Sequence, residues 1–244
     1  MLILSRCSIC ESPSLPFSSS PCDLCARRLS RAGSLPAQAP FEALRARWLF
    51  VGTTYRMFLN WKSRPTARLD HLLLGQESHL LSDTEWVTKN GDILVPIPQR
   101  FSRAWRLNHS PALRAAERLS WSCKKQGIRI PVIPLLKLEP RSATHASKQA
   151  SLRGRERWAR QHEWSVDHSL GVDPRQKIIL VDDVLTTGAT LASAASTLRE
   201  HGHARTSAWV LGVRPSFSAG LTASSGSTAT NFAPKTCSSA EATP

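Results

Sequence analysis

The chain has 244 residues, of which 41% are hydrophobic, and it carries a formal net charge of +14. This length and composition suit one packed core with a small appendage, and they exclude a wholly disordered protein. No apolar run approaches the roughly 18 residues of a membrane span. The apolar part of the first ten residues is too short for a secretory signal. We therefore expect a soluble, cytoplasmic protein without membrane insertion.

The positive charge is concentrated in two stretches. Residues 99–129 hold eight lysines and arginines against Glu117 alone, and residues 137–160 hold seven against Glu139 and Glu156. Such an excess is either a set of solvated helix faces or a surface that faces a polyanion. Pyrophosphate and a nucleic-acid backbone are the polyanions that the second interpretation favours. The sequence leaves both interpretations open.

Four of the six cysteines form two pairs near the N-terminus, and these are Cys7-x2-Cys10 and Cys22-x2-Cys25. Each pair can aim two thiolates at one metal, and four thiolates complete the tetrahedral shell of a structural Zn²⁺. An iron–sulfur cluster and chance thiols are the alternatives. We expect residues 1–40 to be a metal-binding module with a linker at 31–40.

Two helices and two strands are predicted next. Alternation over residues 45–52 predicts a half-buried strand with Arg45 and Arg47 facing solvent, and residues 53–62 form a helix capped by its threonine. A second helix opens at the proline of residues 65–80, and the aromatic residues Trp48, Tyr55 and Trp61 are expected in the core. Residues 92–100, DILVPIPQR, predict a buried strand that stops at its prolines, where a ligand loop belongs in an open α/β sheet.

The second half of the main domain also mixes helices and strands. Residues 110–125 form a basic amphipathic helix, and residues 128–136 are a β-rich run. The polar, basic stretch 139–170 has no clear periodicity, so we expect an active-site lid there. Residues 205–213 are the last predicted strand. The Ser/Thr/Ala-rich tail over residues 215–244 is expected to be disordered, which leaves 41–214 as the main domain.

Residues 178–190, IILVDDVLTTGAT, carry the most specific pattern in the chain. A buried parallel strand is predicted to end at two acids, and the small loop that follows opens a helix. Backbone N–H groups at a helix start, threonine hydroxyls and a close-approach glycine suit a phosphate. The two carboxylates suit sugar hydroxyls or a hydrated Mg²⁺. The candidate residues are Asp182, Asp183, Thr186, Thr187, Gly188, Ala189 and Thr190.

This pattern resembles, at every position, the phosphoribosyl pyrophosphate (PRPP) signature of type I phosphoribosyltransferases. Over residues 5–213 the chain also resembles the ComF family, the competence-associated phosphoribosyltransferase-like proteins of bacteria. Its cysteine pairs are similar to that family's zinc finger, and LVPIPQR is similar to its V-P-x-P strand end. Lys62 matches an L-K segment of the family, and Gln149, Leu152 and Arg157 fit its lid motif. The chain departs from the family at Arg106 and Arg160.

The resemblance implies an α/β fold, in which helices flank a twisted, mainly parallel sheet that carries a small zinc-binding module. It implies that PRPP binds with Mg²⁺ at the loop, that Asp182 and Asp183 hold the ribose, and that Lys62, Gln149 and Arg157 grip pyrophosphate. Phosphoribosyl transfer linked to DNA uptake is the leading hypothesis. A non-catalytic PRPP sensor that binds single-stranded DNA or a helicase is the first alternative. A paralogue that keeps the fold without turnover is the second.

Overall fold

The computed structural model describes residues 5–7, 9–10, 13–14, 22–37, 39–63, 66–75, 77–99, 110–138 and 164–215. In chain order the elements are β1 (Ser5–Arg6), β2 (Pro13–Ser14), α1 (Asp23–Arg27), β3 (Arg31–Leu35), β4 (Leu44–Leu49), α2 (Gly52–Ser63), α3 (Ala67–Leu74), α4 (Glu77–Asn90), β5 (Ile93–Pro96), α5 (Pro111–Lys125), β6 (Leu136–Leu138), β7 (Trp164–Val166), β8 (Ile178–Leu185), α6 (Ala189–Glu200) and β9 (Thr206–Val213). A short 3-10 turn, His168–Leu170, follows β7.

The fold is organised around a five-stranded sheet with the strand order β3-β4-β9-β8-β5. Three of its four strand pairings are parallel, and these are β4 with β9, β9 with β8 and β8 with β5. Only the edge strand β3 runs antiparallel to its neighbour β4. The predicted α/β class with a mainly parallel sheet is therefore confirmed.

Helices cover both faces of this sheet, as its apolar strands require. In β8, Ile179 and Val181 pack into one apolar cluster, and Ile178 and Leu180 pack into the other. The first cluster takes its helical side chains from α2, α3, α4 and α5. The second takes them from α6, together with Trp164 of β7. Strand β8 is thus packed between two apolar layers.

Several predicted boundaries are wrong, and each error has a physical reason. The segment predicted as a linker contains β3, whose partly exposed small side chains hide the strand pattern. The single helix predicted over residues 65–80 is two helices, because α3 ends at the cap residue Gly75. The β-rich run 128–136 forms one isolated bridge at Val132, and its prolines keep the strand β6 from starting before Leu136.

Two side chains also face the other way from the prediction. Arg47 is buried, although the alternation in its strand predicts a solvent-facing residue. The reason is that α3 and α4 cover this face, where Arg47 binds Leu74 O and lies near Asp83. Tyr55 was predicted in the core beside Trp48 and Trp61, which are buried, but it is 38% exposed.

Parts of the remaining predictions fall outside the described residues. Most of the predicted lid lies there, and its described end forms β7 and the short 3-10 turn instead of a loop. The predicted disordered tail lies there too, beyond its first residue. Among the described helices, none combines the length and apolar character that crossing a membrane would require.

Candidate functional site

The two candidate acids lie inside β8, which corrects the prediction that the strand ends at them. The strand continues to Leu185 because β9 extends alongside it, pairing Asp182 with Val210 and Leu185 with Val213. On the other side of β8, the pairing with β5 ends earlier in the strand. The ladder with β5 ends where Pro96 pairs with Val181. The acids therefore lie at the carboxyl edge of the sheet, where such folds bind ligands.

The V-P-I-P segment predicted as a strand exit does turn away beside the acids. The backbone N–H of Ile97 donates to Val181 O at 2.9 Å, and this is its last bond to β8. The next residue, Pro98, has no N–H to donate. The two prolines thus end the pairing of this segment with β8 next to the carboxylates.

The acid pair is held together by its own backbone. The N–H of Asp183 donates to Asp182 Oδ1 at 2.7 Å, and Asp183 is 9% exposed. Burial and the adjacent charge of Asp183 raise the pKa of Asp182 well above its ordinary value, although the Asp183 N–H and the Lys62 charge act against this. The folded site therefore favours a proton or a cation at Asp182 more than an exposed aspartate would.

Lys62 reaches this acid pair from α2 and forms an ion pair with Asp183. Its Nζ also lies 5.2 Å from the ring centroid of Phe58. Both Phe58 and Trp61 are buried, so they fix the face of α2 that carries Lys62. The structure thus brings together Lys62 and the acid pair, while Gln149 and Arg157 lie outside the described residues.

The predicted phosphate loop follows the acids directly. Thr186 and Thr187 are exposed, and Gly188 adopts φ 76° as the residue before α6. The N–H of Ala189 faces Thr187 Oγ1 at 3.4 Å, and Thr190 lies in the first turn of the helix. A helix start with exposed hydroxyls is a favourable place for an anion. The loop can therefore receive a phosphate beside the two carboxylates.

The four N-terminal cysteines converge on one point. Their sulfur atoms all lie within 4.8 Å of one another, with Cys10 and Cys22 at 3.8 Å and Cys7 and Cys25 at 4.0 Å. Tetrahedral Zn–S bonds of about 2.3 Å place sulfurs about 3.8 Å apart. These four cysteines could therefore hold a metal ion, and their spacing agrees with the predicted structural zinc.

The hydrogen bonding at Cys7 also suits a thiolate ligand. The N–H groups of Ile9 and Cys22 donate to its sulfur at 3.4 and 3.3 Å. Burial alone would raise the pKa of Cys7, but backbone N–H groups from Cys10, Cys22 and Ile9 outweigh it and lower that pKa. Donors of this kind stabilise the charged sulfur that a metal requires.

The cysteine module packs against the helix that carries Lys62. Cys7, Ile9 and Cys25 belong to the same apolar cluster as the buried residues of α2. The N–H of Ser30 donates to Thr54 Oγ1 at 3.0 Å, which joins the end of the module to the first turn of α2. A metal ion held by the four cysteines would therefore support the position of α2.

An aromatic residue with two cations lies on α5, within the first basic stretch. Trp121 is 38% exposed, and Arg118 and Lys125 lie 4.0 and 4.2 Å from its ring centroid. It borders a cavity of about 520 Å³ between α3 and α5, where Arg114 pairs with Asp70. Sequence reasoning missed this ion pair, since its partners are 44 residues apart. Trp105 and Trp158, which also belong to the two basic stretches, lie outside the described residues.

No family model matches the chain. The chain is similar to Competence protein F of Haemophilus influenzae, with 28% identity over 154 residues, which cover 62% of this chain. The match spans 61% of that protein, less than two thirds of its length. With a cysteine cluster that could bind zinc, this similarity confirms the resemblance of the chain to the ComF family.

Proposed function

We propose that this protein binds PRPP, or a nucleotide that contains ribose 5-phosphate, at the carboxyl end of β8. The proposal rests on one observation, which is that three chemically different groups lie together at one edge of the sheet. The loop at residues 186–190, whose two threonines at 186 and 187 are exposed, offers phosphate donors. Asp182 and Asp183 offer carboxylates, and Lys62 offers a cation. A phosphorylated, pyrophosphorylated sugar needs all three kinds of contact.

The proposed roles follow from the chemistry of each group. The loop anchors the 5′-phosphate, which fixes the reacting carbon. Asp182 and Asp183 accept hydrogen bonds from the ribose hydroxyls or hold a hydrated Mg²⁺, which when bound neutralises charge on the pyrophosphate. Lys62 exchanges Asp183 for a pyrophosphate oxygen when the ligand enters.

We further propose that the bound ligand undergoes phosphoribosyl transfer. A nucleophile forms a bond to the anomeric carbon as the bond to pyrophosphate breaks, and positive charge develops on the sugar ring. The carboxylates of Asp182 and Asp183 lie beside the proposed ribose position, so their negative charge stabilises that state. Asp182 and Asp183 are therefore the proposed catalytic residues.

The biological setting of this activity is also a proposal. The relative from Haemophilus influenzae is named a competence protein. We propose by similarity that this chain acts in DNA uptake, on or near internalised single-stranded DNA. Its net charge of +14 is compatible with a polyanionic partner.

The second candidate function is a non-catalytic PRPP sensor that binds single-stranded DNA. The specific observation in its favour is Trp121, an exposed ring flanked by Arg118 and Lys125. Exposed aromatic residues among cations stack bases while the cations bind the phosphate backbone. Such binding would weaken steeply as salt is raised.

Turnover distinguishes these two functions. Pyrophosphate release from PRPP is measured with Mg²⁺ across a panel of nucleobases and amines, and PRPP binding is measured by calorimetry. Binding with release for at least one acceptor supports the transferase. Binding without release for any acceptor supports the sensor. Absence of binding contradicts both functions.

A further inference from the structure

A second polar site lies at Arg47, in the middle of β4. This residue is only 6% exposed. Its Nη1 donates to Leu74 O at 3.2 Å and lies 3.6 Å from Asp83 Oδ2, which is too long for a hydrogen bond. Its Nε and Nη2 atoms are buried and have no hydrogen-bond partner among the described residues. Burying N–H donors of a charged group without an acceptor is costly, so these two atoms require one.

Arg47 is one of the residues that line a small cavity between β3, β4 and α4. Its volume is about 160 Å³, and its walls include Arg31, Gly33, Arg45, Ser82 and Asp83 besides Arg47. Arg31 and Ser82 are exposed, so the cavity opens to solvent. None of its lining residues belongs to the acid pair, the phosphate loop or the cysteine cluster.

The charge around this cavity is unbalanced. Three guanidinium groups, of Arg31, Arg45 and Arg47, face a single carboxylate, that of Asp83. Arg45 forms an ion pair with that carboxylate, in which its Nε lies 2.5 Å from Asp83 Oδ1. Its Nη1 and Nη2 atoms donate to the hydroxyls of Ser34 and Ser82, so each of the three Arg45 nitrogens has a partner. The positive charges therefore exceed the negative by two. Arg47 contributes two buried donors without a hydrogen-bond partner, and Asp83 Oδ2 is a buried acceptor without a hydrogen-bond partner among the described residues.

The two available donors of Arg47 have the geometry of an oxyanion site. Nε–H and Nη2–H lie on one edge of the planar guanidinium, and this edge donates two parallel hydrogen bonds to two oxygens of one anion. We propose that this cavity binds the phosphate group of a small molecule, with the Nε–Nη2 edge of Arg47 as its principal donor. A phosphate dianion neutralises the excess of two charges, whereas a carboxylate neutralises only half of it.

The charge state of the buried Arg47 agrees with a phosphate ligand. Burial lowers the pKa of Arg47 to about 10, an effect that Asp83 opposes and that Arg31, Arg118 and Arg45 reinforce. Arg47 still carries its charge at neutral pH. A dianion between the three arginines would remove their mutual repulsion. The phosphate is either the free ion or a phosphomonoester, since both present the same oxygens to Arg47.

The site is tested by nuclear magnetic resonance on the full chain with ¹⁵N-labelled arginine. The Nε–H signal of Arg47 is assigned as the one that disappears in the Arg47→Lys variant. Inorganic phosphate, ribose 5-phosphate and acetate are then titrated separately at constant ionic strength. Saturable movement of that signal with inorganic phosphate alone identifies the free ion as the source. Movement with ribose 5-phosphate as well identifies a phosphomonoester as an additional source.

Arg31→Ala gives a second measurement that does not depend on changing a buried side chain. Removing this exposed charge should weaken phosphate binding at the Arg47 signal by roughly tenfold. The matched control is Arg175→Lys, since the side chain of Arg175 is 94% exposed and lies outside the cavity. The inference is overturned if neither inorganic phosphate nor ribose 5-phosphate moves the Arg47 signal, if acetate moves it as strongly as they do, or if Arg31→Ala binds them as the parent does. Success or failure of PRPP binding at the acid pair does not decide this inference, because the two sites share no residue.

Discussion

Lys62 on α2 forms an ion pair with Asp183 in β8, although 121 residues separate them in the chain. Their side chains are only 12% and 13% exposed, so each charge depends on the other in the folded protein. This pairing joins the helix that packs on the cysteine module to the strand that precedes the phosphate loop. It also keeps a cation at the site where the proposed pyrophosphate would arrive.

Replacing Lys62 should therefore destabilise the fold. Lys62→Met leaves Asp183 as a charge of low exposure without its partner, and we expect the free energy of unfolding in urea to fall by about 3 kcal/mol. The double variant Lys62→Met/Asp183→Asn should recover much of that loss, because it removes both charges. Equal stability of the parent and Lys62→Met would contradict the importance of this pair.

The stability of the protein should depend on the ionisation of Asp182. Burial and the charge of Asp183 raise the pKa of Asp182, so the folded state binds this proton more tightly than the unfolded state. The free energy of unfolding should therefore fall as pH rises from the unfolded carboxyl pKa, near ~4, towards the raised folded pKa.

Asp182→Asn should flatten this dependence. The difference in unfolding free energy between Asp182→Asn and the parent should grow with pH, by up to about 1.4 kcal/mol per pH unit. Urea unfolding of both proteins at several pH values between 5 and 8 measures it. A difference that stays constant over this range would show that Asp182 titrates in the folded protein as it does in the unfolded chain.

The cysteine cluster should hold one zinc ion that stabilises the module. We expect about one zinc per chain by elemental analysis, and a lower melting temperature after chelation. Cys10→Ser should lose the metal. Cys123→Ala is the control, since Cys123 is a buried thiol outside the cluster and its removal should leave the zinc content unchanged. Equal zinc content in the parent and Cys10→Ser would contradict the assignment.

If the protein binds single-stranded DNA, Trp121 should contribute. Stacking of a base on an aromatic ring is worth about 1–3 kcal/mol, so Trp121→Ala should weaken binding of a short oligonucleotide about five- to hundredfold. Fluorescence anisotropy at two salt concentrations measures both this loss and the salt dependence. Tyr55→Ala is the matched control, because Tyr55 is also 38% exposed but lies on α2. An equal affinity of Trp121→Ala and Tyr55→Ala would exclude base stacking at this position.

The parts of the site that depend on local sequence could be predicted, and the parts that depend on distant partners could not. The strand, glycine loop and helix around Gly188, and the paired cysteines, are each specified within a few residues. The burial of Arg47 depends on Leu74 and Asp83, which belong to other elements. The match of Lys62 to a family motif indicated the residue, but only the packing of α2 shows its contact with Asp183.

The edge strand β3 is another element that local sequence does not predict. Its residues, RAGSL, have neither the strict alternation nor the branched side chains that indicate a strand. The strand forms because β4 offers an unpaired edge, to which four of its residues pair in register. Pairing of this kind is decided by tertiary structure and is not visible in a local sequence pattern.

The most direct test of the proposed function is calorimetric titration of the full chain with PRPP and Mg²⁺. We predict saturable binding to the parent, and its loss when Asp182 and Asp183 are both changed to alanine in a variant that stays folded by circular dichroism. Asp173→Ala, at an exposed acid away from β8, should bind as the parent does. Unchanged PRPP binding by the Asp182→Ala/Asp183→Ala variant would contradict the assignment of this site.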